Sequence, residues 1–299
     1  MEADGVLQYE DRFAPTPTRT GMRLTQAQID TYYAEGYLKV PAVFTPEEME
    51  ILRADCYAIL SPDRDYPDGN ISELNSDSTR VSFGIDLDSE AVAAAVRLPR
   101  IVGPVKQLLG GHVYLFQTRV NAKMGRVGEG YPWHTDFANW INDGIRRGSV
   151  NDMITICVLL TESTPENGAM RVLPESHRHG VGELFFDTES VGYQSFNAPE
   201  AYVRKMLAET SPEFIEGKPG DVVLFAPEIM HGSGENHSDR DRLYLMFIYN
   251  RSDNLPVESE IKREHMTPYV NYPYRADLAE LSDDAITACS PGRNMSFRP

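Results

Sequence analysis

Residues 112–123 read HVYLFQTRVNAK, and here the chain stops reading as helix and starts reading as sheet. The pattern repeats with a period of two, as an extended strand requires. Strict alternation places Val113, Leu115, Gln117, Arg119 and Asn121 on one face and Tyr114, Phe116, Thr118 and Val120 on the other. Three polar side chains in a row on one face have two readings: they line a polar cavity, or they face water from an edge strand.

Upstream, capping signals predict two helices. In LTQAQIDTYYAEG, Thr25 and Gln28 have capping-box spacing and Gly36 can end the helix. In FTPEEMEILRADCYAIL, Thr45 is the N-cap, Pro46 occupies the first turn and Glu48 completes a second box. YLKVPAVF between them reads as a strand or extended link, 61–80 as a surface loop, and 89–110 as helix interrupted near Pro99 and ending at Gly110-Gly111. Downstream, strands are predicted at 153–160, 170–174, 221–226 and 242–250, with STPENGA and EGKPGD as turns and a helix inserted at 198–209. The pattern predicts a mainly β fold, a barrel or sandwich with flanking helices. A single domain covers 1–299: an arm at 1–23, mainly helical support at 24–110, a β core at 111–250 with an insertion at 181–216, and an extension at 251–299.

Forty-five acidic against 28 basic residues give a formal charge of −17, a field that repels nucleic acid. No apolar run approaches the ~18 residues of a membrane span, and MEADGVLQYEDRF lacks the basic start and apolar stretch of a signal peptide. A cytoplasmic protein is expected, acting on a small molecule as a monomer or homodimer, without a nucleic-acid or membrane partner. Cys56, Cys157 and Cys289 form no CxxC pair, and a disulfide framework is not expected.

The chemistry concentrates in YPWHTDFANW, residues 131–140. His134 and Asp136, at i and i+2 of an extended segment, project to one side and can share a metal ion. A third ligand is available in His231 of PEIMHGSGEN, completing two histidines and a carboxylate, the facial triad of non-haem Fe(II) oxygenases. Such an iron uses a 2-oxo acid, whose far carboxylate calls for a guanidinium. Arg242 opens the strand RLYLMFIYN and is preferred to Arg240, which sits in the turn-like SDRD. Phe247 has the opposite strand parity from Arg242 and is left out of the site.

Taken together, FQTRVNAK, WHTDFANW, LTESTPENGAMRVLPESH and HGSGEN, with an apolar strand ending in YN, resemble the phytanoyl-CoA dioxygenase superfamily of Fe(II)/2-oxoglutarate oxygenases. Within it the similarity, from about Leu24 to Asn250, is greatest to ectoine hydroxylases and related free-amino-acid hydroxylases. The resemblance implies a double-stranded β-helix (jelly-roll, cupin-like) core, with Fe(II) on His134, Asp136 and His231 and 2-oxoglutarate and O2 as cosubstrates. It further implies 2-oxoglutarate contacts at Arg242, Asn121 and Thr155, and substrate contacts at Gln117 and Trp140; Arg119 on the same strand face is a candidate to help bind an anionic ligand. Halogenating relatives replace the carboxylate with a small residue, so Asp136 favours hydroxylation or desaturation. INDGIRRGSVND and 181–216 depart from the ectoine hydroxylase pattern, and insertions such as 181–216 act as lids.

The expected activity is hydroxylation of an unactivated C–H bond in a small polar, zwitterionic metabolite, a free amino acid or an ectoine-like cyclic derivative. The alternatives are the same iron chemistry on a larger biosynthetic intermediate, a zinc hydrolase using the same three ligands, and a non-catalytic β-barrel binding protein.

Overall fold

The computed structural model describes residues 22–61, 70–145, 150–180, 185–187, 189, 191, 195–257 and 278–289. Nearly all of the expected arm, and parts of the insertion and the C-terminal extension, lie outside the described residues.

Both predicted capping boxes form. Helix α1 (Gln26–Glu35) starts on Thr25, whose side chain accepts the Gln28 N–H while the Gln28 side chain returns to Thr25, and it stops at Gly36 with φ +84°. Strand β1 (Tyr37–Val40) follows. Helix α2 (Pro46–Leu60) repeats the device with Thr45 and Glu48. The expected surface loop at 61–80 is in part sheet: β2 (Asn70–Ser72) and β3 (Thr79–Phe83) pair antiparallel, and β3 adds to the next strand. A short polar edge strand carries too few alternations to show in composition. Helices α3 (Glu90–Ala95) and α4 (Pro99–Leu109) are separated near Pro99, as predicted, and α4 ends on Gly110.

The remaining strands are β4 (Val113–Lys123), β5 (Tyr131–His134), β6 (Met153–Leu159), β7 (Met170–Val172), β8 (Phe185–Asp187), β9 (Ser195–Asn197), β10 (Glu213–Phe214), β11 (Val222–Phe225), β12 (His231–Ser233) and β13 (Arg242–Arg251). Helix α5 (Asp136–Asn142) follows β5, and α6 (Glu200–Glu209) follows β9. Seven strands form one sheet in the order β1-β11-β6-β13-β4-β3-β2, and four form a second in the order β10-β7-β12-β5. The pairings within both sheets are antiparallel, the double-stranded β-helix arrangement.

The two faces of the large sheet bury different partners. One packs Leu115, Val120, Ile154, Val158 and Phe247 against Met49, Leu52, Ile101 and Val105 of the helices. The other turns Tyr114, Phe116, Cys157, Tyr244 and Met246 toward Met170 and Val172 of the small sheet. Phe247 thus faces away from the interior that Arg242 shares, as strand parity requires.

Strict alternation fails in one place along β4. Val113 and Leu115 belong to the helix-facing core, whereas Gln117, Arg119 and Asn121 line the interior. The β4–β13 register shows why: Ile248 pairs with Gln117 but Tyr249 with Leu115, leaving Phe116 as an extra residue. That bulge reverses the side-chain parity and brings both Phe116 and Gln117 to the inner side. The polar half of the strand therefore lines a cavity rather than facing water.

Within the insertion, β8 and β9 form a hairpin, and α6 packs Val203 and Met206 on Leu173 and Met230. Cys56, Cys157 and Cys289 are free thiols. Among the described residues no helix is long and apolar enough to cross a membrane.

Candidate active site

His134 ends β5 and His231 begins β12, and the two are register partners across the small sheet, with ring centroids 4.2 Å apart. The extended segment reaches only to Thr135, with φ −118° and ψ 139°; Asp136 is the first residue of α5. The tripeptide is therefore a strand end running into a helix start, not a continuous strand, yet its extended half still brings His134 and Asp136 together. One ligand atom from each of His134, Asp136 and His231 lies within 4.8 Å of the others.

The surroundings prepare these groups for a cation. The Nδ1 of His134 lies 2.7 Å from the Pro132 carbonyl and that of His231 3.0 Å from the Ile229 carbonyl. A carbonyl can only accept, so both Nδ1 atoms carry the proton and both Nε2 lone pairs are free for a metal. Burial first, and then the neighbouring His231, lowers His134 to about 3, and burial lowers His231. Both rings are thus neutral near pH 7. Burial opposes the charge on Asp136, but the Arg119 guanidinium leads the opposing influences, and the carboxyl is held below the usual range.

Arg119 Nη2 donates to both oxygens of Asp136, at 3.0 and 2.9 Å, and its Nε approaches Met246 Sδ at 3.3 Å. Arg119 lines the cavity as expected, but its partner is the carboxylate beside the histidines. A carboxylate offers about four lone-pair directions, so one guanidinium nitrogen leaves Asp136 free to bind a cation. Two Nε2 donors and one oriented carboxylate with open space beyond them suit Fe(II).

The cavity holds about 780 Å³, counted out to its open mouth. One end is lined by Asn121, Tyr131, Ser233, Arg242 and Tyr244. Arg242 is buried, its guanidinium carbon 4.0 Å from the Tyr244 ring centroid, and its Nε has no hydrogen-bond partner among the described residues. The Tyr244 hydroxyl is anchored to Ser163 at 2.5 Å and accepts the Met170 N–H at 3.2 Å, which fixes the ring. Asn121 Oδ1 is likewise buried without a partner. An unpartnered buried guanidinium N–H suits an anionic ligand such as a 2-oxo acid, whereas the Asn121 oxygen, an acceptor, calls for a donor.

The other end is lined by Phe83, Gln117, Asn139, Trp140, Ser195 and Asn197. Trp140 stands edge-on to Phe116, with centroids 5.9 Å apart. The β8–β9 hairpin closes on this end through Phe196 N–H to Asn139 Oδ1 at 3.0 Å and Ala198 N–H to the Trp133 carbonyl at 3.1 Å.

The fold thus brings eight of the nine predicted site residues to one cavity. Thr155 is the exception. It lies on the inward parity of β6 with Met153 and Cys157, but does not line the cavity. Ser233 and Tyr244 were missed, although both follow from parity, lying two residues after His231 and Arg242 on their strands. Asn139, Ser195 and Asn197 gave no periodic signal.

The sequence profile of the phytanoyl-CoA dioxygenase (PhyH) family matches residues 32–244. An ectoine dioxygenase of Halomonas elongata is 32% identical over 246 residues, 79% of this chain and 72% of its own. An L-proline trans-4-hydroxylase of Streptomyces griseoviridis is 32% identical over 240 residues, 76% of this chain and 86% of its own. The crystal structure of EctD from S. alaskensis with 2-oxoglutarate and 5-hydroxyectoine superposes with a TM-score of 0.76 at 25% identity, covering 90% of this chain and 91% of that one.

Proposed function

The chain belongs to the phytanoyl-CoA dioxygenase (PhyH) family, as an Fe(II)- and 2-oxoglutarate-dependent hydroxylase, and from that premise we propose that it hydroxylates a small polar metabolite bearing a carboxylate. A free amino acid or an ectoine-like cyclic derivative is the substrate class that fits. His134, Asp136 and His231 hold the iron, with Arg119 keeping Asp136 ionised and oriented. Bound there, iron with 2-oxoglutarate and O2 supplies the oxidation that replaces hydrogen by hydroxyl on an unactivated C–H bond, with succinate and CO2 as coproducts.

The protein's own residues do the positioning. Arg242 binds the far carboxylate of 2-oxoglutarate, Ser233 and Asn121 hydrogen-bond along it, and the Tyr244 ring holds the guanidinium in place. Gln117, Asn139 and Trp140 orient the substrate on the opposite side of the three ligands. The hairpin carrying Ser195 and Asn197 covers the substrate end and restricts water there.

The carrying observation is that His134, Asp136, His231 and Arg242 share one cavity with a polar, partly aromatic second compartment. Neutral amides and a hydroxyl beside Trp140 suit a small polar substrate, and the two named relatives, an ectoine dioxygenase and an L-proline trans-4-hydroxylase, act on small carboxylate-bearing compounds. The test is succinate release by the Fe(II)-loaded protein across a panel of free amino acids, L-proline and ectoine. At least one member should raise succinate well above the uncoupled background and yield a hydroxylated product. No stimulation by any member would contradict the substrate class.

A further inference from the structure

Behind the Arg242 end of the cavity lies a layer of buried charge that the proposed roles leave unused. Arg80 is fully buried and ion-paired to Glu73 at 2.5 Å, with Glu129 at 3.6 Å. Its guanidinium carbon stands 3.8 Å from the ring centroid of Tyr131, and Lys123 Nζ stands 5.3 Å from the same centroid. Lys123 is itself fully buried and donates to the carbonyls of Glu129 and of Gly234, the latter at 2.7 Å.

Two observations then converge on Tyr131. Its hydroxyl is buried without a hydrogen-bond partner among the described residues, whereas those of the buried Tyr114, Tyr244 and Tyr249 all have one. Tyr131 also lines the cavity beside Ser233, its register partner on β12, and Arg242. The groups acting on Arg242 are Tyr244, Tyr131, Cys157 and Arg80, with no carboxylate among them. Burial first, and then Arg242 and Arg80, pushes the Lys123 amine down to about 6, despite the opposing pull of Glu73 and Glu235. Arg80 is balanced by Glu73, whereas Arg242 has no carboxylate among the groups acting on it, and a buried guanidinium without an anion is costly until one arrives.

We infer that the Tyr131 hydroxyl is a second ligand for the far carboxylate of 2-oxoglutarate, donating a hydrogen bond beside Arg242, with Arg80 and Lys123 holding its ring in position. The inference rests on the assignment of Arg242 to that carboxylate. The competing account makes Tyr131 an aromatic spacer between cations. A phenyl ring keeps the cation–π contacts, so Tyr131→Phe removes the hydroxyl alone.

The test is anaerobic calorimetric titration of the full-length, Fe(II)-loaded protein with 2-oxoglutarate and with 2-oxobutyrate, which chelates in the same way but lacks the far carboxylate. Tyr131→Phe should weaken 2-oxoglutarate binding by roughly 10- to 100-fold, the worth of a hydrogen bond to a charged group, and leave 2-oxobutyrate unchanged. Unchanged 2-oxoglutarate affinity, or equal loss for both acids, would overturn the role of Tyr131. Arg242→Gln in the same titrations separates the two levels. If it erases the preference for 2-oxoglutarate and Tyr131→Phe leaves that preference intact, only the Tyr131 ligand falls. If Arg242→Gln leaves the preference intact, the Arg242 assignment falls and the Tyr131 inference with it.

Discussion

Arg119 grips both oxygens of Asp136 through a single nitrogen, at 3.0 and 2.9 Å, from a strand that the sequence places seventeen residues away. A buried carboxylate between two imidazoles must be kept ionised and aimed, and this guanidinium does both. Arg119→Met preserves bulk and removes the donor. Iron affinity should fall about 10- to 100-fold, the usual cost of losing a partner that orients a metal ligand. Competition against a calibrated chelator under anaerobic conditions measures it. Wild-type affinity in the variant would mean that Asp136 needs no orienting partner.

Asp136 itself should be indispensable to hydroxylation. Asp136→Gly leaves two histidines and an open position, and product formation should drop to background whichever substrate is used. Mass analysis of the reaction mixture detects the product directly, and persistence of hydroxylated product would show that the carboxylate is not a ligand.

Arg242→Gln keeps a polar side chain but loses the charge. Removing one member of a buried, hydrogen-bonded charge pair costs about 2–5 kcal/mol, so KM for 2-oxoglutarate should rise roughly 30-fold or more while KM for substrate stays close to wild type. Steady-state kinetics with each component varied in turn distinguishes the two. A parallel rise in both would point to a collapse of the cavity.

Trp140 packs edge-on against Phe116 at the substrate end. Trp140→Phe keeps an aromatic ring there and should raise KM for substrate up to roughly ten-fold, since such contacts are worth about 0.5–1.5 kcal/mol beyond area burial. KM for 2-oxoglutarate should not move. The opposite pattern would place the two ligands the other way round.

Glu73 and Arg80 form an ion pair with almost no exposure on either side chain. Arg80→Met leaves Glu73 buried without its close partner and should destabilise the fold by about 3–5 kcal/mol, whereas the double change with Glu73→Leu should recover much of that loss. Denaturant melts measure both. No recovery in the double variant would show that the other contacts of Arg80 carry the stability.

Much of this architecture is legible in the chain because local rules act there undisturbed. Thr25-Gln28 and Thr45-Glu48 cap their helices as the residue types require, and Arg242 and Phe247 fall on opposite faces of β13 by parity alone. Alternation failed at Phe116, because a bulge adds one residue to a strand and composition carries no mark of it. The short β2 and β3 were hidden in a polar stretch that becomes sheet only by joining the edge of β4. The histidine pair was visible as residue types, but not that they would face each other across β5 and β12. The bond from Arg119 to Asp136 depends on long-range packing, and that from Arg80 to Glu73, seven residues apart, on the β2–β3 pairing; no spacing rule encodes either. Thr155 shows the converse: an inward-facing residue on the right strand that does not reach the cavity.

Anaerobic titration of the protein with Fe(II), followed by addition of 2-oxoglutarate, tests the metal site and the cosubstrate site together. One iron should bind per chain, a visible absorption band should appear only with 2-oxoglutarate, and both should be lost together in His231→Ala. Iron bound with no response to 2-oxoglutarate, or a wild-type response in His231→Ala, would contradict the assignment of these sites.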